Sequence, residues 1–409
     1  MNVAFFLTDH FPALSETFVL NQITGLLDRG HDVRIYARRP DTASPVHPVV
    51  ERYRLLERTT YWPALPRPPL LRIFKGLWLI VRDPAALPAL LRSLDGRRFG
   101  RSASSLNLLY WASGFASRRS FDIIYCHFGW NGLHASMLRE IGALRGRLVT
   151  VFHGADVSWQ LKTFGADVYR PLFEKGDLFL PISEHWKSKL IALGCPEPRV
   201  VVHRMGIDTG RFAFFERELK PGQAAQLITV SRLVEKKGVE YGIRAVAQLV
   251  ARRRDVHYTI IGDGPLRASL EELIRHLGLT ERVTLPGSRD HDAVRAALNR
   301  SHIALAPSVT SQDGDQEGIP VSLMEAMATG MPVVSTVHTG IPELVRDGVS
   351  GRLVPERDAD ALAWVLGDLI DHPESWPAMG RAARRQVVEH FDIATLNDRL
   401  VTLFQDLLR

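Results

Sequence analysis

The chain has 409 residues, of which 45% are hydrophobic and 23% charged, so it is long enough and apolar enough for two globular domains and is neither fibrous nor disordered. Lys and Arg number 51 against 45 Asp and Glu, and this excess of positive charge favours an anionic partner such as a nucleotide or a phospholipid surface, or is simply a solvated basic surface. No signature of nucleic-acid binding accompanies the excess, so nucleic acid is not expected as a partner.

The first predicted elements form a strand–helix–strand unit. A buried strand is predicted over 2–8, a helix over 15–29 that stops at Gly30, and a second strand over 32–36. Such a unit implies a parallel sheet. The opening residues lack the basic start of a signal peptide, and no run of about 18 apolar residues occurs that could span a membrane. We therefore expect a cytoplasmic protein, either free or peripheral on the inner face of the membrane.

Residues 40–110 interrupt this alternation with a Pro- and Arg-rich insertion. Its central part, 70–81, predicts an apolar helix that carries Arg72 and Lys75. A membrane-surface or acceptor-side helix would have this composition. A helix that packs on the first domain would have it too, and the sequence leaves both interpretations open.

Alternation of strands and helices then resumes and continues almost to the end of the chain. Strands are predicted at 121–127, 147–152, 177–181 and 199–203, and a hinge at 204–208. A second series of strands is predicted at 226–230, 258–261, 283–285, 303–306, 332–335 and 351–354, followed by a helical tail over 382–409. The pattern predicts an α/β protein with two Rossmann-like, doubly wound parallel sheets, whose ligands bind in the cleft between them. We expect an N-terminal domain over 1–205, a C-terminal domain over 206–385, and a last helix over 386–409 that can pack back on the first domain.

The stretch 315–328 has the features of a phosphate site. Gly318 allows close approach of a ligand to the backbone, and Pro320 suits the first turn of a helix, whose free N–H groups attract anions. Glu317 lies before this turn and Glu325 within the helix. The two carboxylates either bind hydroxyl groups at the two ends of a nucleotide sugar or are an ordinary charged loop and helix surface.

A second basic segment, 231–238, follows the strand predicted at 226–230. It contains Arg232, Lys236 and Lys237 and leads into a helix. Fixed cations there would stabilise the charge that develops on a leaving nucleotide. A solvated basic loop is the alternative.

The run from Glu317 to Glu325 and onward to Val354 resembles the signature of the retaining glycosyltransferases of family 4, which have the GT-B fold. This resemblance implies Glu325 on the ribose, Glu317 with the backbone of Gly318, Ile319 and Pro320 on the donor sugar, and Arg232 and Lys237 on the diphosphate. It also implies that the nucleotide pocket is bordered by Gly262, Gly264, Ser288 and Arg289, and that His153 lies near the donor sugar. His153, Arg232, Lys237 and Glu317 are thus the expected catalytic residues.

The N-terminal half looks like a subgroup that makes bacterial exopolysaccharides such as colanic acid and amylovoran. Residues 11–18 depart from the Gly-Gly loop common in the family, and 127–129 fit the subgroup. Candidate residues of the acceptor side or the N-domain cleft are Ser15, Glu16, Thr17, His127 and Asp156. We expect the acceptor to be a glycan or a lipid-linked oligosaccharide, with a soluble small molecule as the alternative.

The sequence Asp313-Gly314-Asp315 imitates a metal-binding motif of a different glycosyltransferase fold. Because Arg232, Lys237 and the helix N-terminus already supply positive charge, we expect no metal and no cofactor other than the nucleotide diphosphate sugar, UDP- or GDP-linked, as donor. The predicted reaction is transfer of a hexose with retention of anomeric configuration. A GT-B nucleotide-sugar epimerase and a binding protein without catalysis are the competing interpretations.

Overall fold

The computed structural model describes residues 1–6, 10–12, 17–40, 47–115 and 120–409. The strands of the first half are β1 (Asn2–Phe6), β2 (His10–Phe11), β3 (Asp32–Ala37), β4 (Arg39–Pro40), β5 (Thr59–Tyr61), β6 (Ser120–His127), β7 (Arg145–Phe152) and β8 (Leu178–Pro181). Those of the second half are β9 (Ala225–Val230), β10 (Val256–Ile261), β11 (Val283–Gly287), β12 (Ile303–Ala306), β13 (Val333–Thr336) and β14 (Arg352–Val354).

The helices of the first half are α1 (Thr17–Asp28), α2 (Pro48–Arg52), α3 (Pro69–Arg82), α4 (Leu87–Arg92), α5 (Gly96–Ser104), α6 (Asn107–Ser113), α7 (Gly129–Glu140), α8 (Trp159–Phe164), α9 (Arg170–Lys175) and α10 (Glu184–Ala192). The second half contributes α11 (Val239–Ala251), α12 (Arg267–His276), α13 (His291–Arg300), α14 (Val321–Ala328), α15 (Ile341–Leu344), α16 (Ala359–Asp371), α17 (Trp376–His390) and α18 (Ile393–Leu408). None of these helices combines the length and the apolar composition needed to cross a bilayer.

Two six-stranded parallel sheets form the framework, in the orders β5-β3-β1-β6-β7-β8 and β11-β10-β9-β12-β13-β14. Each order is the 3-2-1-4-5-6 arrangement of a Rossmann fold, which confirms the predicted α/β class. Strands buried on both faces need continuous apolar runs, and β1 provides one, since Val3 to Phe6 are all fully buried. In this topology ligands bind where the strand order reverses, at the carboxyl ends of β1 and β6 and of β9 and β12.

Two predicted elements differ from the structure. Residues 199–203 run beside β8 but form only one bridge, between Phe179 and Val200, because a short 3-10 helix with Pro198 at its centre precedes it. The helical tail is not continuous, since it breaks between α17 and α18. Asp392 causes the new start, because its carboxylate accepts the N–H groups of Ala394 and Thr395 as an N-cap.

The chain crosses from one sheet domain to the other at two segments, and backbone hydrogen bonds join these two segments. Ile207 donates its N–H to the carbonyl of Phe391 at 3.0 Å and accepts the N–H of Ile393 at 2.9 Å. Beyond this point α18 returns to the first half of the molecule. There the ring of Phe404 lies 5.3 Å from that of Tyr125, and Arg29 pairs with Asp398 at 2.7 Å.

Candidate active site

The loops that follow β9 and β12 meet at the point where the second sheet reverses its strand order. Gly238 has φ +59°, and a Cβ atom at this position would lie 1.9 Å from the carbonyl oxygen of Pro307. Only glycine permits this approach. This close packing brings Lys237, in the loop after β9, next to Glu317, in the loop after β12. The Lys237 ammonium and a Glu317 carboxylate oxygen form an ion pair.

The Glu317 carboxylate is ionised and firmly placed. Burial by itself would raise its pKa, but the charges of Lys237 and Lys236 outweigh burial and lower the pKa to about 2. Lys236 is nearly buried and also pairs with Asp315 at 2.9 Å. Two lysines and two carboxylates are therefore concentrated at one end of the loop before α14.

The backbone of Glu317 is held by residues that the sequence analysis did not identify. The ring nitrogen Nε2 of His338 accepts the N–H of Glu317 at 3.0 Å, so its Nδ1 carries the hydrogen that is donated to Glu356 at 2.5 Å. The Thr339 hydroxyl donates to the carbonyls of Glu317 and Gly318 at 2.7 and 3.0 Å. In the sequence these residues are marked only by the His-Thr pair directly before Gly340. In the structure Thr339 adopts a left-handed backbone with φ +44°.

The first domain closes over this loop at the end of β7. A Cβ atom on Gly154 would lie 3.1 Å from the carbonyl oxygen of Gln316, and one on Gly318 would lie 3.1 Å from the carbonyl oxygen of His153. The N–H of Gln316 also donates to the Ser158 hydroxyl at 3.3 Å. Glycines at both positions thus let the two domains meet backbone to backbone beside Glu317.

His153 and His127 form a pair at the carboxyl ends of β7 and β6. His127 Nδ1 and His153 Nε2 lie 3.0 Å apart, and the rings are stacked with centroids 5.1 Å apart. Burial lowers the pKa of His153 to about 3, so the imidazole is neutral at physiological pH. His127, which was predicted on the cleft side of the first domain, is fully buried and lies directly behind His153.

Asp156 also lies behind the cleft wall, not at its surface. Its fully buried carboxylate accepts the backbone N–H groups of Gly129, His153 and Gly154, each at 3.0 Å. Burial raises its pKa to about 6 despite these hydrogen bonds. One side chain thus ties the start of α7 to the end of β7 and fixes the backbone that carries His153.

Glu325 occupies a separate cavity of about 70 Å³ between the two domains. Leu20 and Asn21 of α1, together with His47, line it from the first domain, and His291 is among the residues that line it from the second. The rings of His47 and His291 meet across the cleft with centroids 5.7 Å apart. The Glu325 carboxylate accepts no hydrogen bond from any residue within the described ranges, and burial raises its pKa to about 7.

The two glycines predicted at the nucleotide border are required by loop packing. Gly262 has φ +143°, and its Cβ would lie 1.8 Å from the carbonyl oxygen of Ser231, while that of Gly264 would lie 2.5 Å from that of Leu233. This contact fixes the start of the cationic loop. Arg232 is exposed, and its guanidinium makes no ion pair or hydrogen bond to any residue that the structure describes.

The remaining predicted site residues lie at the end of β11 and at the starts of α14 and α1. Ser288 and Arg289 are exposed at the carboxyl end of β11, and Ile319 is buried beside Gly318. Pro320 is the N-cap of α14, one residue before the expected first turn. Ser15 and Glu16 lie outside the described residues, and Thr17 begins α1, with its side chain likewise outside the description.

The Asp-Gly-Asp sequence is used for loop structure. The Asp313 carboxylate accepts the N–H of Asp315 at 3.0 Å and the Ser311 hydroxyl, and Asp315 pairs with Lys236. No cluster of three His, Cys, Asp or Glu side chains suited to a metal occurs in the part of the chain that is described. The two carboxylates thus have protein partners for their charges.

The chain is similar to glycosyltransferases in both sequence and fold. Residues 15–211 match the family model described as Glycosyltransferase Family 4, and residues 210–386 match that described as Glycosyl transferases group 1. The chain is 42% identical to the colanic acid biosynthesis glycosyltransferase WcaL of Salmonella typhimurium, over 99% of this chain and 100% of that protein. It is also 42% identical to the amylovoran biosynthesis glycosyltransferase AmsK of Erwinia amylovora, over 96% of both. The crystal structure of Anabaena HepE with UDP and glucose is similar in fold, with a TM-score of 0.74 at 18% identity, over 99% of this chain and 100% of that one.

Proposed function

The chain belongs to glycosyltransferase family 4, with the GT-B fold, and we propose that it is a retaining hexosyltransferase of exopolysaccharide biosynthesis. The donor is a UDP- or GDP-linked sugar, and the acceptor a glycan or a lipid-linked oligosaccharide. Residues 1–205 hold the acceptor and residues 206–385 the donor. The names of the two exopolysaccharide relatives and the UDP and glucose of the HepE crystal support these assignments.

The observation that carries the proposal is the Lys237–Glu317 ion pair at the N-terminus of α14, facing His153 of the first domain. A diphosphate needs fixed positive charge, which Lys237, Arg232 and the free N–H groups at the start of α14 supply together. A carboxylate with a pKa of about 2 is always an acceptor at neutral pH, which suits Glu317 for the hydroxyl groups of the donor sugar. Glu325 accepts from the ribose.

In the proposed reaction the acceptor hydroxyl attacks the anomeric carbon from the face that the diphosphate leaves. The bond from the anomeric carbon to the phosphate oxygen breaks, the new glycosidic bond forms on the same side, and the acceptor proton passes to the departing phosphate oxygen. Lys237 and Arg232 stabilise the charge that develops there. His153, which is neutral, hydrogen-bonds the sugar and neither carries a positive charge nor acts as a strong acid.

The nucleotide base and the donor sugar can be found with a thermal-shift panel of UDP, GDP and their sugars in the presence of EDTA. We expect a concentration-dependent rise in melting temperature with one of the two bases and no loss of that rise on chelation. Release of free nucleotide that requires an acceptor then distinguishes transfer from epimerisation and from simple binding. If neither nucleotide shifts the melting temperature and no nucleotide is released with a lipid-linked acceptor, the proposal is refuted.

A further inference from the structure

Helix α3, in the insertion between β5 and β6, has an unusual distribution of apolar residues. Its inner side, with Gly76 and Leu79, packs on α6, where a Cβ on Gly76 would contact Leu106 at 3.6 Å and Leu109 at 3.8 Å. The outer side is also apolar. Seven large side chains there are between 50% and 77% exposed, namely Leu70, Leu71, Ile73, Phe74, Leu77, Trp78 and Val81.

One basic residue of α3, Arg72, lies on the side of the helix that faces the protein. In a water-exposed helix the charged residues face solvent and the apolar ones face the core. Here Arg72 is turned toward the protein, where it donates to the carbonyl of Pro66 at 3.0 Å, and its own carbonyl accepts the Tyr110 hydroxyl at 2.9 Å. The large apolar side chains of α3 therefore face solvent. A contiguous exposed apolar surface of this kind indicates an interaction site.

The apolar surface continues into the next turns of the insertion. Leu87, Leu91 and Leu94 are between 38% and 53% exposed, on and just after α4. Arg82, at the end of α3, covers the ring of Trp78 at 4.8 Å, so that a cation borders the apolar face. We call α3, α4 and Leu94 the insertion surface.

Positive charge is concentrated around the insertion surface. Residues 61–105 contain eight Lys and Arg against two Asp, an excess of six that equals the excess of the whole chain. Both acidic residues are used within the protein. Asp83 accepts the N–H of Ala86 at 3.2 Å, and Asp95 accepts those of Arg97 and Arg98 at 3.0 and 3.2 Å, each as a helix N-cap. Three of the cations also have partners in the protein, since Arg98 pairs with Glu140 and Arg72 and Arg92 donate to backbone carbonyls. The segment that carries the apolar side chains therefore presents the exposed cations Arg67, Arg82, Arg97 and Arg101 beside them.

We propose that the insertion surface docks on an anionic lipid bilayer, with α3 lying in the interface and its outer side among the acyl chains. An amphipathic helix with Trp, Phe and Leu on one side and basic residues nearby has the composition of an interfacial membrane helix. Anionic headgroups supply the charge that complements the exposed cations.

The position of the insertion gives such docking a use. The chain leaves the first sheet at the carboxyl end of β5, the edge at which the cleft of a parallel sheet opens. Docking through α3 would therefore bring the acceptor half close to the membrane, where a lipid-linked acceptor resides. The docking itself does not depend on the proposed function, and it can be measured without any turnover.

The test is co-sedimentation of the full chain with vesicles of phosphatidylcholine alone and of phosphatidylcholine with 30% phosphatidylglycerol. The wild type should bind the anionic vesicles at least tenfold more tightly and lose most of that binding in 0.5 M NaCl. The double variant Phe74→Ser/Trp78→Ser should reduce partitioning at least tenfold. The matched control Trp364→Ser/Val388→Ser removes side chains 60% and 40% exposed on the second domain, and should bind like the wild type.

A second variant separates charge from apolar insertion. Arg67→Gln/Arg97→Gln changes exposed cations and should abolish the preference for phosphatidylglycerol. Circular dichroism of each variant establishes that it is folded. Equal binding to both vesicle types, or an equal loss in the Trp364 control, would overturn the proposal. So would light scattering that finds a dimer in the absence of lipid which the Phe74/Trp78 variant dissociates, because the occupant would then be a second copy of the chain.

Discussion

Glu325→Gln should stabilise the protein and weaken nucleotide binding at the same time. The Glu325 carboxylate lies in a small interdomain cavity with no hydrogen-bond partner among the described residues, and burial raises its pKa from 4.5 to about 7. A glutamine has nearly the same shape and carries no charge. It removes the unfavourable burial of that charge, and with it the strong acceptor that we assign to the ribose.

The size and pH dependence follow from this pKa. Because the pKa is higher in the folded state, the favourable contribution of the protonated carboxyl is complete below about pH 4.5 and is lost as the pH rises through about 7. A shift of roughly 2.5 pH units at about 1.36 kcal/mol per unit gives up to about 3 kcal/mol. The variant should therefore be more stable than the wild type by up to about 3 kcal/mol at pH 8, and by less than about 1 kcal/mol at pH 5.

The assay is urea unfolding of both proteins at pH 5 and pH 8, together with nucleotide binding by calorimetry at pH 8. Loss of charge-assisted hydrogen bonds to the ribose should weaken binding by about 10- to 100-fold, or roughly 1.5–3 kcal/mol. Glu317→Gln is the matched control, because the carboxylate of Glu317 is paired and its replacement should destabilise at neutral pH. A Glu325→Gln variant that gains no stability at pH 8, or that binds nucleotide as tightly as the wild type, would refute the reasoning.

Four further substitutions test the contacts around the site. Lys237→Ala should lower turnover by at least about 100-fold in a folded protein, measured by nucleotide release, because it removes a cation from the leaving group; near-normal turnover would exclude the assigned role. Gly238→Ala should destabilise by roughly 2–3 kcal/mol in urea unfolding, since its Cβ would lie 1.9 Å from a carbonyl oxygen, whereas Gly278→Ala at the similar φ of +67° meets nothing within 4 Å and should cost less. Asp156→Asn should destabilise by about 1–3 kcal/mol, because an amide cannot accept all three backbone N–H groups; unchanged stability would count against this role. Phe404→Ala should destabilise by about 3–5 kcal/mol, and limited proteolysis should find the first domain, which α18 packs on, cleaved before the second.

The sheets could be predicted, except for the edge strand β5 inside the stretch read as an insertion, because each of the other strands has its own apolar run between turn residues. All six strands of the second sheet lie within two residues of their predicted bounds. The run 199–203 has similar composition but forms only a single bridge beside β8, because Pro198 and the 3-10 helix before it shorten the pairing. The local sequence pattern thus predicts which segments are extended. It does not predict how many residues of such a segment pair with the neighbouring strand.

The environments of the predicted site residues differ in ways that the sequence did not indicate. Glu317 and Glu325 were both expected to bind hydroxyl groups, yet one has a pKa of about 2 and the other about 7. The difference depends on whether a lysine from a loop 80 positions away lies within reach, which only the fold decides. The same holds for His127 and Asp156, whose burial behind His153 follows from the adjacency of β6 and β7 and from no local pattern.

The position of Glu325 relative to the crossings of the chain has a mechanical consequence. Within the described residues the chain passes between the domains at 204–209 and 391–393, and these segments are hydrogen-bonded to each other, so we expect a change of the interdomain angle to be absorbed there. Gly206 and Ile207 of this crossing also line the Glu325 cavity, whose volume of about 70 Å³ is well below the roughly 300 Å³ of typical ligand pockets. If a nucleoside binds at Glu325 as we propose, we expect His47 and His291 to separate by a rotation of the domains about the same crossing. The proposed nucleotide binding and the domain rotation would then act on one set of residues, and we expect binding at Glu325 to be coupled to the interdomain angle without a longer pathway between them.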